Sequence, residues 1–210
     1  MIITDIVYLL DSAWGRNTYL IQGKNAVLID TGMPVRGKAI LRRIASLNVQ
    51  PKHILLTHHD VDTMGNAALL QNHTGAQVWA SEHDIPYIQG NKPRIGFKKH
   101  LKYIAPAPIP MDIQPLPASI EDIKVVPTPG HTPGHVCFLY RDILFVGDLL
   151  RNRKGVLLPP RRNWNKEILL ESLEKVAESS FNWICPAHGR PINFTPPRQP
   201  EIQVTTPRPL

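Results

Sequence analysis

Histidine and aspartate residues at metal-ligand spacing occupy the stretch LLTHHDVDTMGN, residues 55–66. An apolar run begins the stretch and predicts a β-strand. Because alternate residues of an extended segment point the same way, His58, Asp60 and Asp62 are expected to converge at the strand end, with His59 turned away. One imidazole and two carboxylates can bind a divalent cation. A polar loop capping a following helix, with Asp62 or the next threonine as N-cap, explains the same residues, so both interpretations stay open here.

Four further stretches place ligand-type side chains at the ends of predicted strands. They contain Asp30 in the motif IDTG, His131 and His135 in TPGHTPGH, Asp148 in VGD, and His188 in CPAHG. Each one alone is typical of a turn or a helix cap. Open sheets, however, gather ligand sites at the carboxyl ends of their strands. Five such stretches in order therefore predict one shared site.

Short strands and helices alternate along the chain and would position these residues. Strands are predicted at residues 2–10, 18–21, 26–29, 53–57, 77–80, 123–126, 136–140, 143–146 and 182–185. Helices are predicted at residues 35–49, 64–73 and 166–179, and a short helix begins at Ser81 and is limited by Pro86.

One domain is expected over residues 1–195. Within it, residues 91–117 are rich in proline and include the basic segment RIGFKKHLKYI, residues 94–104. This composition predicts a surface excursion with one amphipathic helix, which could cover the site as a lid. Residues 196–210 form a proline-rich tail. The tail could pack on a neighbouring subunit, which leaves an oligomer open.

Composition limits the class of protein. The 210 residues suffice for a full core, and 42% hydrophobic with 20% charged residues is ordinary for a globular protein. The net charge of +7 suits an anionic substrate or nucleic acid, but no dense Lys/Arg block accompanies it, so nucleic acid is the minority interpretation. Cys137 and Cys185 lie in apolar runs and are predicted to be buried thiols in a reducing cytosol. Without a signal-peptide pattern or an uncharged run long enough for a membrane span, a cytoplasmic location is expected.

The order of the motifs LIDTG, THHDVDTMG, PGHTPGH, GD and HG resembles the metallo-β-lactamase superfamily, over about residues 18–191. The resemblance implies an α/β fold, namely a four-layer αβ/βα sandwich of two mixed β-sheets with helices on the outer faces, and a metal site at one edge between the sheets. It also implies the metal ligands His58, Asp62, His131, Asp148 and His188. Two positions depart from the family pattern, because Asp60 and Thr63 stand where ligand histidines are usual.

Under this resemblance, one half-site would consist of His58, Asp60 and His131, with Asp148 reaching across from the other half-site. That set has four ligands, with one imidazole replaced by a carboxylate. The carboxylate of Asp60 shifts the metal preference toward iron or manganese without excluding zinc.

The other half-site would keep Asp62, Asp148 and His188. Its fourth position is Thr63, whose neutral hydroxyl is a poor ligand compared with an imidazole, a thiolate or a carboxylate. One tightly bound ion is therefore expected rather than two.

A bound ion would lower the pKa of its water toward about 7 and give hydroxide at neutral pH. Asp62 would orient that water or accept its proton. Asp30 would act behind the ligands by fixing their geometry, and His135 is expected to do the same. His59 is expected either behind the ligands or at the surface.

Arg151 and Arg153 follow Asp148 closely and favour a small anionic substrate, although a solvated basic surface explains them as well. The leading hypothesis is a metal-dependent hydrolase of a small anionic ester, thioester or lactone that uses metal-bound hydroxide. One alternative is a metal-poor, non-catalytic member of the superfamily that binds a ligand or partner, which Thr63 favours. The other is a nuclease, which the net charge of +7 allows.

Overall fold

Two six-stranded β-sheets form the centre of the computed structural model, which describes residues 1–93 and 107–194. The first sheet contains, in spatial order, β1 Val7–Asp11, β2 Thr18–Ile21, β3 Val27–Ile29, β4 His53–Leu55, β5 Gln77–Ala80 and β6 Gln114–Pro115. Strands β1 to β3 are antiparallel neighbours, whereas β3 to β6 run parallel. The predicted lid helix at residues 94–104 and the tail at residues 196–210 lie outside the described residues.

The second sheet is built from the later part of the chain. The strands there are β7 Ser119–Ile120, β8 Ile123–Pro127, β9 Val136–Tyr140, β10 Ile143–Gly147, β11 Arg151–Arg153, β12 Val156–Leu158, β13 Trp183–Pro186 and β14 Ile192–Asn193. The sheet has the order β14-β13-β10-β9-β8-β7, and β11 pairs with β12 in a separate hairpin. Only β10 and β13 are parallel among its neighbouring strands, so both sheets are mixed.

Helices cover the outer faces of the two sheets. They are α1 Gly37–Ser46, α2 Val61–Met64, α3 Ala67–Thr74, α4 Ile85–Ile88 and α5 Lys166–Ala177, with 3₁₀ turns at Ala13–Gly15 and Pro34–Arg36. Ile40 of α1 and Leu70 of α3 share a buried cluster with Ile54 of the first sheet. Leu169 of α5 shares another with Ile184 of the second sheet.

A third buried cluster fills the space between the sheets. Side chains alternate along the strands, because Tyr19 and Ile29 belong to this inner cluster while Leu20 and Leu28 belong to the helix-facing one. The rings of Tyr19 and Phe145 meet edge to face across the sheets, with centroids 5.2 Å apart. The layer order of helix, sheet, sheet and helix confirms the predicted four-layer αβ/βα sandwich.

Three local predictions differ from the structure. The extended segment does not continue to Asp62, because the strand ends at Leu55 and Asp62 lies in the first turn of α2. The helix predicted at residues 64–73 is found as α3, which begins three residues later, and the separate short helix α2 precedes it. Pro86 does not limit a helix but lies in the first turn of α4, where a missing backbone N–H costs nothing.

Cys137 and Cys185 are buried free thiols, as predicted. Burial raises the pKa of the Cys137 thiol to about 12. Among residues 1–93 and 107–194, no helix combines the length and apolar character that crossing a membrane requires.

Candidate metal centre

Four buried side chains converge where the loops after β4 and β10 meet the β8–β9 loop. His58, Asp60, His131 and Asp148 each offer one ligand atom, and these atoms all lie within 4.8 Å of one another. His131 Nε2 is 3.3 Å from Oδ2 of both carboxylates, and His58 Nε2 is 3.6 Å from Asp60 Oδ2 and 3.9 Å from Asp148 Oδ2. Metal–ligand bonds of about 2.0–2.1 Å in a tetrahedron place ligand atoms about 3.3–3.4 Å apart. The four side chains are therefore spaced like the donors of a single ion.

Thr57 and Asp30 hold the imidazole of His58. The Asp30 carboxylate accepts hydrogen bonds from the backbone N of Thr57 at 2.8 Å and from its hydroxyl at 2.9 Å, and that hydroxyl oxygen is 2.9 Å from His58 Nδ1. An ionised Asp30 takes the hydroxyl hydrogen, so the oxygen accepts from His58 Nδ1–H and the Nε2 lone pair faces the centre. Burial raises the pKa of Asp30 to about 8, against the opposing hydrogen bonds from Thr57. Burial also lowers the pKa of His58, which favours the neutral imidazole that a metal needs.

The β8–β9 loop presents His131 with a defined tautomer. Its Nδ1 lies 3.2 Å from the carbonyl oxygen of Arg162. Since a carbonyl only accepts, Nδ1 carries the hydrogen and Nε2 keeps its lone pair for the centre. Gly130 allows this loop to lie against α5, because its φ is +132° and a Cβ at this position would collide with the backbone of Leu169.

His135 supports Asp148 and does not bind the centre itself. The backbone N of Asp148 donates to His135 Nε2 at 3.1 Å, so Nδ1 must carry the ring hydrogen, 2.9 Å from the hydroxyl of Thr128. Burial lowers the pKa of His135 well below its ordinary value, in keeping with a neutral ring. Gly147 has a φ of +52°, and a Cβ there would stand 2.6 Å from His135 Nε2, so the imidazole can pack directly on the chain before Asp148.

His188 and Asp62 lie on the other side of Asp148. His188 Nε2 is 3.1 Å from Asp148 Oδ1 and 3.6 Å from Asp62 Oδ2. This buried nitrogen makes no hydrogen bond within the described part of the chain. Buried polar atoms in native structures almost always have a partner, so this imidazole nitrogen calls for one that the described protein atoms do not supply. The donor set of the whole site, imidazoles and carboxylates, suits zinc, iron or manganese.

Comparison with known proteins agrees with this fold. A model of the metallo-beta-lactamase superfamily matches residues 12–188. The chain belongs to the metallo-β-lactamase superfamily. It is 30% identical over 201 residues to YobT of Bacillus subtilis (strain 168), covering 83% of each chain. It is 29% identical over 147 residues to hydroxyacylglutathione hydrolase GloC of Haemophilus influenzae, covering 66% of this chain and 68% of GloC. The solved structure of TTHA1623 in a di-iron-bound form superposes with a TM-score of 0.69 at 25% identity, covering 86% of this chain and 90% of that one.

The two departures from the metallo-β-lactamase superfamily pattern differ in their effect. Asp60 lies among the four side chains that could hold one ion, at a position where the family pattern has an imidazole. Thr63 places its hydroxyl oxygen 3.3 Å from His58 Nε2, and as a neutral group it is a poorer metal ligand than the imidazole usual at this position.

Two arginines contact the carboxylates of the candidate metal centre. Arg151 Nη2 donates to Asp148 Oδ2 at 2.6 Å, and Arg16 Nε donates to Asp62 Oδ2 at 3.0 Å. Arg153, predicted to contact the substrate, is exposed on β11. Sequence reasoning missed Arg16, because it lies in a turn between two strands and 46 residues from its partner.

Asp84 is a second residue that the sequence pattern did not indicate. One of its carboxylate oxygens accepts from the backbone N of His59 at 2.9 Å and from the Thr132 hydroxyl at 2.8 Å, and the other accepts from the backbone N of Gly134 at 2.8 Å. The ring of His59 is fully buried and stacks on Tyr87, so the surface alternative for this residue is wrong. Asp84 thus joins the loop of the first histidine to the β8–β9 loop.

Proposed function

We propose that this chain is a metal-dependent hydrolase that binds one divalent ion tightly through His58, Asp60, His131 and Asp148. The observation that carries the proposal is the spacing of these four buried ligand atoms, all within 4.8 Å of one another. An ion held by these residues would polarise a carbonyl oxygen and lower the pKa of a water to about 7. Membership of the metallo-β-lactamase superfamily and the likeness to the hydrolase GloC support hydrolysis as the reaction.

Asp62 is the residue we assign to the attacking water. Its side chain is fully buried, and its Oδ2 atom lies between Arg16 Nε at 3.0 Å and His188 Nε2 at 3.6 Å. The hydrogen bond from Arg16 restricts the orientation of this carboxylate, which allows it to align a water and accept its proton. Asp30 and His135 hold the neighbouring ligands in place from behind.

The proposed substrate is a small anionic ester, thioester or lactone. Arg151 supports this choice, because its Nε atom is buried and has no hydrogen-bond partner within residues 1–93 and 107–194. A buried donor left without an acceptor costs about 1–3 kcal/mol, so an anionic group beside Asp148 would be bound favourably. The exposed Arg153 lies two residues further along the same strand and adds positive charge to the approach.

Metal analysis followed by an activity panel tests the proposal. Protein purified without added metal is expected to carry one zinc, iron or manganese per chain and to hydrolyse at least one member of an ester, thioester and lactone panel. His58→Ala and Asp148→Ala are expected to lose both the metal and more than 99% of turnover, about 3 kcal/mol of transition-state stabilisation. His73→Ala is the matched control, because His73 is exposed on α3. Unchanged turnover in the two site variants would contradict the proposal.

The same experiment separates the alternatives. Less than one ion per chain, with no turnover, would favour the non-catalytic binding member. RNA affinity that falls steeply with rising salt, together with RNA cleavage, would favour the nuclease.

A further inference from the structure

Arg16 is fixed at the side of the site where Thr63 departs from the family pattern. Its Nε donates to Asp62 Oδ2 at 3.0 Å, and its Nη1 donates to the carbonyl oxygen of Trp14 at 2.8 Å. Two edges of the planar guanidinium are therefore held at once.

The backbone of Arg16 is fixed as well. It forms an antiparallel bridge with His188, flanked by hydrogen bonds from Asn17 N to Ala187 O at 2.9 Å and from Gly189 N to Gly15 O at 3.2 Å. The residue is thus placed by a strand-like pairing with the segment that carries the last histidine, and its guanidinium contacts the buried Asp62 carboxylate.

Charge at the site limits how many cations it can hold. The carboxylates of Asp60, Asp62 and Asp148 are buried, and the guanidiniums of Arg16 and Arg151 each contact one of them. With neutral imidazoles, these five groups carry one net negative charge, and the ionised Asp30 behind His58 makes it two. One divalent ion brings the total to zero, whereas two would leave two positive charges in a largely buried space. Buried charge without compensation is strongly unfavourable.

We propose that Arg16 is a built-in cation that takes the place of a second metal ion. It neutralises Asp62 by a hydrogen-bonded ion pair, and together with the neutral Thr63 it restricts the site to one divalent ion. The inference rests on the proposed function only in that the first ion binds at His58, Asp60, His131 and Asp148. It assigns to Arg16 a positioning role for Asp62 and a role in metal stoichiometry.

Metal stoichiometry in a small set of variants tests this assignment. The metal-free forms of the wild type, Thr63→His, and Thr63→His combined with Arg16→Ala are titrated with zinc by calorimetry, and the ions per chain are counted by elemental analysis after dialysis. Wild type and Thr63→His are expected to bind one ion. The double variant is expected to bind two, with the second dissociation constant at least tenfold lower than any second binding to Thr63→His.

Two further variants separate charge from space. Thr63→His with Arg16→Lys keeps the positive charge and is expected to bind one ion, whereas Thr63→His with Arg16→Gln removes it and is expected to bind two. The Gln variant also replaces the Ala variant if the latter does not fold. Thr63→His with Arg36→Ala is the matched control, because Arg36 pairs with Asp11 and is as exposed as Arg16, at 34% of the side chain. It is expected to stay at one ion.

The outcomes distinguish this inference from the proposed function. Two ions bound to the wild type, to Thr63→His or to the Arg36 control would overturn the role of Arg16 and leave the hydrolase intact. One ion in both the Ala and the Gln double variants would do the same. No ion in wild type would overturn the proposed function and this inference with it.

Discussion

Asp30, the Thr57 hydroxyl and His58 form a hydrogen-bond relay, and replacing Asp30 by asparagine exchanges donors and acceptors in it while the side chain keeps its shape. The backbone N of Thr57 donates to Asp30 Oδ1 at 2.8 Å, so the asparagine oxygen is expected there and its amide group at the Oδ2 position, 2.9 Å from the Thr57 hydroxyl. The hydroxyl then accepts from the amide and directs its hydrogen to His58 Nδ1. This moves the imidazole hydrogen to Nε2, where it blocks the lone pair that faces Asp60 and Asp148.

The magnitude follows from the role of such supporting groups. Removing one typically weakens metal binding 10–100-fold, which corresponds to about 1.4–2.7 kcal/mol. The pH dependence has a defined sign. Burial raises the pKa of Asp30 to about 8 in the metal-free chain, so below pH 8 an ion that needs the ionised carboxylate must release its proton. Wild-type affinity therefore falls as the pH drops from 8 to 6, by up to tenfold per unit for this group. In Asp30→Asn that contribution is absent.

Competition with a chelator of known zinc affinity, at pH 6, 7 and 8, measures both effects. Asp30→Asn is expected to bind 10–100-fold more weakly at pH 8 and to show a slope of log affinity against pH that is lower by up to one. Asp11→Asn is the control, since Asp11 pairs with Arg36 away from the site and is expected to leave both quantities unchanged. A variant at Asp30 with wild-type affinity and wild-type slope would refute the relay.

Two further substitutions test how the site loops are held. Asp84→Asn turns an amide N–H toward a backbone or hydroxyl donor, which costs about 1–3 kcal/mol and at this chain length lowers the Tm by about 2–12 °C. Differential scanning calorimetry measures this change, with Asp142→Asn at an exposed position as the control. Equal Tm values for the two variants would contradict the expectation. Gly130→Ala combines a φ of +132° with a collision against Leu169 and is expected to cost about 2–6 kcal/mol in urea unfolding. Gly75→Ala, at a φ of +71° with no atom within 4 Å of the added Cβ, should cost only about 1 kcal/mol, so equal losses would exclude the collision.

The sequence could predict the order of the site residues because each follows a visible apolar strand. Asp148 stands directly after such a run, His131 and His188 follow theirs within a few residues, and the topology brings the ends of β8, β10 and β13 to one edge of the second sheet. The strand boundaries there agree with the structure to within one residue. Past residue 57, the alternating pattern did not show whether the chain continues as a strand or begins a helix. The carbonyl of Asp60 accepts from the amides of Thr63 and Met64 and so begins a helix, and aspartate and threonine are equally common at strand ends and helix starts.

Contacts between distant loops could not be predicted from periodicity. Arg16 is separated from Asp62 by 46 residues, and Asp84 from Gly134 by 50, and all four lie in loops or short helical turns. Hydrophobic spacing relates a residue to neighbours three or four positions away in a helix, or two positions away in a strand. It therefore gives no information about contacts between residues this far apart in the sequence. The basic residues after β10 were visible as a charge pattern, but only the coordinates show that Arg151 contacts a buried carboxylate whereas Arg153 is exposed.

Different groups in the site set the protonation of the histidines and balance the charge of the carboxylates. His131 has its outer nitrogen fixed by a backbone carbonyl, and His135 has both nitrogens fixed by the Asp148 amide and a threonine hydroxyl, so the fold sets these tautomers before any ion arrives. His58 alone depends on a titratable group, Asp30, through one hydroxyl. The carboxylates are instead balanced by arginines, and Asp148 Oδ2 already accepts from Arg151 at 2.6 Å while facing both ligand imidazoles. An ion bound through Asp148 would therefore share this carboxylate with a guanidinium, so we expect metal affinity to depend on Arg151 as well as on the ligands.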